Sequence, residues 1–403
     1  MRFIENVDKI EYQNFSQNHE KSHFLQSYEW GEFCRDARNQ IPHYVGMKDD
    51  REQLVATALI LEKKTPLGYS YGYCPRGFLI DYKNKAYLKV FTNYLKKFLK
   101  EKKFIYLKID PDLKYQDIDE NALPINSDNN NYPLFDYLQS LGYIHGGFYK
   151  LYEGNQPRYT FRINLKDENI ESKFSKSFMK SIKRSYQYDL IIDHKPNVNI
   201  FYELMKNNSE KDNFDPRSEK YYQLFQDNLN EFTKFYNISI KPQELLKKIN
   251  NEINNYKELL EKNSKRNEDI KNKINRLEKE KEIFQNIKEE QVVVCSLICI
   301  YTKNRAWSLY IGSNEIANLT FAVSRSYYEA IMDAKNNNYD FFDLFGTVGN
   351  PNTTYKNLAK LHDFKRKFGD EYIEFIGEFD LVNKKILYKL LPIMLKIYRK
   401  LRG

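Results

Sequence analysis

The sequence contains few cysteines and no long hydrophobic run, and each shortage excludes a class of protein. Its four cysteines in 403 residues form no CxxC pair. Cys295 and Cys299 fall on one face of a β-branched run, so we expect buried free thiols in a reducing compartment. The longest apolar run, residues 292–300, is too short to cross a bilayer, which takes about 20 residues. The N-terminus is charged and lacks a signal-peptide core. These shortages predict a soluble, cytoplasmic protein.

Signatures of metal and cofactor chemistry are also missing from the sequence. The six histidines have no metal-ligand spacing, and we find no HExxH, GxSxG or P-loop motif. The Gln/Arg-x-x-Gly-x-Gly/Ala loop of acetyl-CoA-binding acetyltransferases is absent as well. We therefore expect no metal ion and no bound cofactor, and the missing loop argues against a CoA donor.

The charge restricts the partners only loosely. The formal net charge of +9 is modest for this length, and Lys, Asn, Ile and Tyr are abundant throughout. Such a charge permits nucleic acid or an anionic membrane surface as a partner, but it establishes neither.

The most regular stretch covers residues 242–289. Apolar residues recur at three- and four-residue steps in two runs on either side of the polar break 263–267; they are Leu245, Ile249, Tyr256, Leu259, Ile270, Ile274, Leu277 and Phe284. This spacing is typical of a coiled coil. The break predicts an antiparallel helical hairpin with limbs about 30 Å long; a solvated single helix is the alternative. We expect the hairpin to project from the body and to bury its apolar seam internally.

The rest of the chain repeats one order of elements. Strand, strand, long helix and strand follow one another in residues 54–109 and again in residues 292–345. This order predicts an α/β (α+β) protein with two tandem acetyltransferase-like (GNAT-like) subdomains. We assign residues 1–155 plus 380–403 to the first subdomain, 156–241 plus 290–379 to the second, and 242–289 to the hairpin arm.

Three segments contain candidate functional residues. Arg217 follows a proline at a helix start, where a cation is unfavourable because it opposes the helix dipole. Its planar guanidinium group suits an external phosphate instead. Lys365 lies near a helix end between Phe364 and Phe368. Asp110 ends a strand of an α/β sheet, where ligand sites collect. Each residue also has a purely structural alternative. Arg217 is then a surface arginine, Lys365 is a cation at a helix C-terminus that the dipole favours, and Asp110 is part of an ordinary Asp-Pro turn.

Taken in order, seven segments resemble the Fem family, the FemA/FemB/FemX-type aminoacyltransferases of the peptidoglycan bridge. They are FLQSYEWGEF (24–33), YLKIDPD (106–112), SFMKSIKRS (177–185), EKDNFDPRSEKYY (210–222), SLYIGSN (308–314), FFDLFGT (341–347) and HDFKRKFG (362–369). They extend over nearly the whole chain, and the inserted hairpin matches the longer members. The resemblance implies transfer of an amino acid from aminoacyl-tRNA to an amino group of a lipid-linked or UDP-linked peptidoglycan precursor.

The resemblance also implies residues that bind the acceptor. Arg217 should bind the diphosphate of the precursor, and Tyr221 and Tyr310 should lie in the same cleft. The phosphate-binding lysine of the family falls near Cys34, where this sequence has no lysine, so we assign its role to Arg35.

A second set of residues is implied for the reaction itself. Lys365, directly after Phe364, should act at the tRNA ester, and Asp110 and Tyr106 should border the acceptor peptide. A lysine can stabilise a developing oxyanion, and a carboxylate such as Asp110 can take a proton from the incoming ammonium. Met179 stands where relatives often have arginine, and the remaining candidates for tRNA contact are Lys180, Lys183, Arg184, Arg366 and Lys367.

Two other functions share this fold prediction. One is a tRNA-binding module without catalysis, and the other is a non-tRNA, CoA-dependent N-acyltransferase. The basic, apolar C-terminal helix carrying Ile386, Leu390 and Ile393 is a candidate for peripheral contact with an anionic membrane, although Pro392 within it favours a packed segment.

Overall fold

The computed structural model describes residues 1–65, 68–212, 215–262, 267–369 and 371–402. Its strands are β1 (Arg2–Ile4), β2 (Ile41–Lys48), β3 (Leu54–Lys64), β4 (Ser70–Cys74), β5 (Leu79–Ile80), β6 (Phe104–Ile109), β7 (Lys114–Gln116), β8 (Tyr143–His145), β9 (Tyr159–Asn164), β10 (Ile191–Asp193), β11 (Thr233–Ile240), β12 (Val292–Tyr301), β13 (Arg305–Ser313), β14 (Phe341–Asp343), β15 (Glu371–Phe375) and β16 (Phe379–Val382).

The α-helices are interspersed between these strands. They are α1 (Lys9–Asn18), α2 (Tyr28–Arg38), α3 (Lys85–Glu101), α4 (Tyr132–Ser140), α5 (Lys176–Ser185), α6 (Val198–Asp212), α7 (Glu219–Leu229), α8 (Pro242–Lys262), α9 (Asn267–Gln285), α10 (Glu315–Leu319), α11 (Ala322–Asn336), α12 (Lys356–Lys365) and α13 (Lys385–Arg402). None of the helices in the described ranges is both long and apolar enough to cross a membrane.

The strands form two mixed sheets. The first has the order β1-β2-β3-β4-β6-β16-β8 with β5 on β3, and the second has the order β10-β11-β12-β13-β14-β9-β15-β7. Each contains a parallel pair, β4–β6 in the first and β13–β14 in the second. The chain crosses from one parallel partner to the other through the long helices α3 and α11, because parallel neighbours need a crossover. This arrangement is the origin of the repeated order of elements in the sequence.

Sheet membership follows the predicted division of the chain except at one strand. β16 returns the C-terminal part to the first sheet by pairing with β6 and β8. However, β7 lies within residues 1–155 and pairs with β15 of the second sheet. The division into two subdomains therefore stays a prediction.

One hydrophobic core joins the two halves. Trp30 and Phe33 of α2 pack in the same buried cluster as Tyr221 and Phe225 of α7 and Trp307 of β13. The rings of Phe33 and Phe225 meet edge to face, with centroids 5.5 Å apart. Since α2 comes from the N-terminal part and α7 from the middle of the chain, both halves contribute residues to this core. The four cysteines are buried and unpaired, as predicted.

The helical hairpin is present, but it is not independent of the body. α8 and α9 run antiparallel, and Lys257 Nζ lies 3.7 Å from a carboxylate oxygen of Glu278. Near the base, Leu245, Ile249, Ile253, Leu277 and Phe284 are buried together with Ile238 and Ile240 of β11 and Val294 of β12. The expectation that the seam is buried only between the two helices is therefore wrong at the base, because the sheet needs the same side chains to cover its face.

Candidate active site

Asp110 lies at the end of β6, where the first sheet meets the second. One carboxylate oxygen accepts the backbone N–H of Arg76 at 2.7 Å, and the other accepts the hydroxyl of Tyr73 at 3.0 Å. Burial raises the pKa of this carboxyl to about 7, and the Arg76 charge opposes the rise. Asp110 is thus a buried carboxyl that can gain or lose a proton near neutral pH.

Lys365 is the last residue of α12 and is also buried. Its Nζ donates to the backbone carbonyls of Phe345 at 2.9 Å and Gly346 at 2.7 Å, in the turn after β14. Burial lowers the pKa of this amine to about 7, while the Asp343 carboxylate acts in the opposite direction. An ammonium has three N–H donors, so the two carbonyls leave one donor unassigned.

A short series of contacts connects Asp110 with Lys365. The backbone N–H of Arg76 donates a hydrogen bond to Asp110, and its side-chain Nη2 donates to the carbonyl of Pro157 at 2.8 Å. The Pro157 ring packs so closely on Gly346 that a Cβ there would lie 2.1 Å from Pro157 Cγ. Gly346 accepts the Lys365 hydrogen bond. The two groups predicted to be catalytic therefore lie in one connected region, and only glycine fits at position 346.

Tyr106 contributes to an aromatic cluster on the first sheet. Its ring stacks parallel to Tyr71 with centroids 5.7 Å apart, and it meets the Tyr388 ring of α13 edge to face at 5.2 Å. Lys108, two residues further and therefore on the same strand face, pairs with Glu378 at 2.9 Å and Asp380 at 3.0 Å. This face presents aromatic and ionic groups.

A second cluster contains three of the residues expected to bind the acceptor. The hydroxyls of Tyr221 and Tyr310 lie 3.2 Å apart. Arg217 is exposed, and its guanidinium lies 5.6 Å from the centre of the Tyr221 ring. Arg38 Nη2 donates to the Tyr221 hydroxyl at 2.8 Å. Two arginines and two tyrosine hydroxyls therefore converge between α2, α7 and β13.

Arg35 lies outside this cluster. It is exposed on α2 and pairs with Glu32 at 2.6 Å and Asp36 at 3.3 Å. The sequence interpretation missed Arg38, although a signal was present: Arg38 lies four residues after the buried Cys34, on the apolar side of α2. Its guanidinium also lies over the ring of Trp30, at 5.1 Å.

The residues expected to contact tRNA come from two neighbouring segments. The Phe178 ring of α5 lies 4.3 Å from the Phe368 ring, which in turn lies 4.8 Å from the Phe364 ring. The backbone N–H of Ser175 donates to the Lys367 carbonyl at 2.9 Å.

The basic side chains of these two segments differ in exposure. Lys180, Lys183 and Arg366 are exposed, and Lys367 is half-buried. Arg184 lies over the Phe321 ring at 4.4 Å. The segments thus form one basic surface beside Lys365.

The comparisons with known proteins agree with this architecture. Two mixed sheets with a helix crossover in each define a tandem acetyltransferase-like α/β protein, which confirms the predicted fold class. The chain belongs to the FemAB family, whose model matches residues 7–396, and this confirms the resemblance seen in the sequence.

Individual relatives cover nearly the whole chain. The lipid II:glycine glycyltransferase of Staphylococcus haemolyticus (strain JCSC1435) is 26% identical over 429 residues, and that of Staphylococcus epidermidis (strain RP62A) is 24% identical over 427 residues. Each alignment covers 99% of both proteins. The crystal structure of FemX has 23% sequence identity and a TM-score of 0.79, with 97% of this chain and 99% of that one covered. This likeness shows the fold.

Proposed function

We propose that the protein is an aminoacyltransferase that moves an amino acid from aminoacyl-tRNA to an amino group of a peptidoglycan precursor peptide. Membership of the FemAB family and relatives named lipid II:glycine glycyltransferase support this proposal. The observation that carries it is the contact series from Asp110 through Arg76, Pro157 and Gly346 to Lys365. It joins a buried acid and a buried amine in one region between the sheets.

The residues suit the attack of an amine on an activated ester. The acceptor amine attacks the carbonyl carbon of the aminoacyl ester, and the bond to the tRNA ribose oxygen then breaks. The leaving ribose oxygen takes up the second proton that the attacking nitrogen loses as the amide forms. Asp110, with a pKa raised by burial to about 7, takes the proton that the acceptor ammonium must lose. The remaining N–H of Lys365 donates to the negative charge that develops on the carbonyl oxygen and then on the leaving ribose oxygen. The main task left to the protein is alignment of the two substrates.

The acceptor is proposed to lie along the clusters of Arg217 and Tyr106. Arg217 is exposed and has a planar fork, which suits a diphosphate. Tyr221 and Tyr310 line the same cleft, and the aromatic face with Tyr106 borders the peptide. Arg35 keeps its predicted phosphate role only as an outer contact, since it is paired with two acidic residues.

The donor tRNA is proposed to lie on the basic surface formed by α5 and the end of α12. Exposed cations attract the phosphate backbone without sequence specificity. Lys180, Lys183 and Arg366 are the exposed members, while Arg184 and Lys367 are partly covered. This surface adjoins Lys365, which places the tRNA ester near the proposed oxyanion donor.

Peripheral contact with the inner face of the membrane is proposed through α13. Ile386, Leu390 and Ile393 are 75%, 44% and 58% exposed and form one stripe, and Lys385 and Lys389 beside them are exposed too. An exposed apolar stripe with flanking lysines suits an anionic lipid surface. Such contact would place a cytoplasmic protein next to a lipid-linked acceptor.

One incubation tests the proposed reaction against the two other candidate functions. Purified protein receives charged tRNA, acetyl-CoA and a UDP-linked precursor peptide, and the products are identified by mass spectrometry. We expect the precursor to gain one aminoacyl group, and only when charged tRNA is present. Acetylation of the precursor would instead identify a CoA-dependent enzyme, and tRNA binding without any product would identify a binding module.

A further inference from the structure

A buried cluster of charged side chains lies between the groups proposed to act on the substrates. Arg162 of β9 donates from Nη2 to Asp112 at 2.7 Å and from Nε to Asp343 of β14 at 2.7 Å. Arg305 of β13 donates to the other oxygen of Asp112 at 3.2 Å. Asp112 follows Asp110 by two residues, so Arg162 connects the strand end that carries Asp110 with β14 of the second sheet.

Asp343 also holds the turn on which Lys365 rests. One of its oxygens accepts the backbone N–H of Phe345 at 2.7 Å and the hydroxyl of Thr160. Phe345 has a φ of 56°, a left-handed conformation that residues other than glycine rarely adopt. The carbonyls of Phe345 and Gly346 then bind the Lys365 ammonium. The position of Lys365 therefore depends on a turn that the Asp343 carboxylate stabilises.

We propose that Asp343 and Arg162 are positioning residues of the transfer reaction, which hold the turn carrying Lys365 at a defined distance from the strand end carrying Asp110. The proposal rests on the proposed function. The planar fork of an arginine contacts both carboxylates at once, and a lysine ammonium cannot reproduce this geometry. The cluster contains two carboxylates and two guanidiniums, so it places no net charge beside the reacting groups.

The chain offers a matched control for the loss of a buried ion pair. Arg158 and Glu374 are both buried, and Arg158 Nη1 lies 2.9 Å from Glu374. The other side-chain hydrogen bonds of this pair join it to Tyr159, Phe375 and Gln116. Asp343, in contrast, also accepts the backbone N–H of Phe345 in the turn. Glu374→Gln therefore removes a comparable buried charge from the same sheet without removing a contact to the turn of Lys365.

The first test is a double-mutant cycle on turnover. Asp343→Asn keeps the size of the side chain and should lower kcat by up to about a hundredfold, as expected for a small misplacement of a catalytic group. Arg162→Lys should lower kcat less. In a Lys365→Met background, Asp343→Asn should cost almost nothing more, because its effect acts through Lys365. A loss by the same factor in both backgrounds, or an equal loss for Glu374→Gln, would show a merely structural role and overturn the proposal.

The second test needs no activity. With lysines labelled at Cε with ¹³C, the Lys365 resonance is assigned by its loss in Lys365→Met and titrated by NMR. The groups next to this ammonium are Asp343 and the Tyr152 hydroxyl, which shares the Gly346 carbonyl. Since the Asp343 carboxylate favours the charged amine, Asp343→Asn should move the titration of Lys365 to lower pH.

The NMR control separates a local effect from a general one. Glu374→Gln should leave the titration of Lys365 unchanged. An unchanged titration in Asp343→Asn, or the same shift in both variants, would overturn the link between Asp343 and Lys365. A wild-type protein that transfers nothing from charged tRNA would instead contradict the proposed function, and the titration would then still decide whether Asp343 acts on Lys365.

Discussion

The guanidinium of Arg38 donates to the hydroxyl of Tyr221 at 2.8 Å, across the interface of α2 and α7. This contact brings a cation from the N-terminal part of the chain to the cluster that also contains Arg217 and Tyr310. A diphosphate carries enough charge to engage two arginines, and contacts of this kind are charge-assisted. The acceptor site proposed here therefore uses both halves of the protein.

Loss of Arg217 should weaken binding of the diphosphate selectively. We expect Arg217→Ala to raise KM more for a UDP-linked precursor than for the same peptide without phosphate. Arg217→Lys should restore only part of the loss, because lysine lacks the planar fork. Steady-state kinetics with both acceptors measures the ratio. Equal rises in KM for the two acceptors would contradict phosphate binding. Arg51→Ala, which removes an exposed arginine with no proposed role, is the control.

Lys365 should affect turnover more than its basic neighbours do. Removal of one oxyanion donor typically lowers the rate by about a hundred- to a thousandfold, so Lys365→Met should lose about that much kcat and still bind the acceptor. Arg366→Met and Lys367→Met should lose far less, mainly through weaker and salt-sensitive tRNA binding. Single-turnover rates at two salt concentrations separate these effects. The same modest loss of rate in all three variants would show that Lys365 is only part of a basic patch and has no specific role in the reaction.

The buried carboxyl of Asp110 should make stability depend on pH. An unfolded aspartate releases its proton near pH 4, whereas burial raises the folded pKa of Asp110 to about 7. The folded state therefore binds the extra proton between these values, and its stability falls as pH rises through this window, by up to about 4 kcal/mol. The Asp110→Asn variant serves as the reference, because asparagine does not titrate. In denaturant titrations, we expect the unfolding free energy of the wild type minus that of the variant to fall from pH 4 to pH 8. A difference that stays constant over this range would contradict the burial of Asp110.

The base of the hairpin should be required for stability, and its distal part should not. Replacing residues 242–289 by a Gly/Ser linker removes Leu245, Ile249, Leu277 and Phe284 from the core beside β11. Each such side chain contributes about 1.5–3 kcal/mol when buried, so the melting temperature should fall sharply. Replacing only residues 256–273 by a short turn keeps these contacts and should leave it nearly unchanged. Equal melting temperatures for the two deletions would contradict the different contributions expected of the base and the distal part of the hairpin.

The exposed stripe of α13 should bind anionic membranes. Flotation with anionic liposomes should carry the wild-type protein upward at low salt and less so at high salt, because lysines beside the stripe contribute. The triple variant Ile386→Ser, Leu390→Ser and Ile393→Ser should stay at the bottom of the gradient. Ile144→Ser, which alters an isoleucine that is 50% exposed elsewhere, should float like wild type. Equal flotation of both variants would exclude α13 as the contact.

Periodic segments were predictable from the sequence, whereas strands with polar faces were not. The long helix expected within residues 54–109 is α3, and the two hairpin runs are α8 and α9; local periodicity suffices to predict all three. β2 and β11 were missed. Their segments, IPHYVGMK and TKFYNISI, mix polar and apolar residues. They become strands through pairing with β3 and β12, and pairing with distant strands is a tertiary effect.

The sequence by itself determined the family, the order of the elements and the identity of most candidate site residues, because these depend on local patterns and on motifs. Only the tertiary structure decided which polar groups are buried and what they contact. It selected Arg38 instead of Arg35 as the partner of Tyr221, and it placed Lys365 on two backbone carbonyls held by Asp343. Such contacts join residues far apart in the chain, and the burial that shifts the pKa values of Asp110 and Lys365 exists only after the two sheets have packed together.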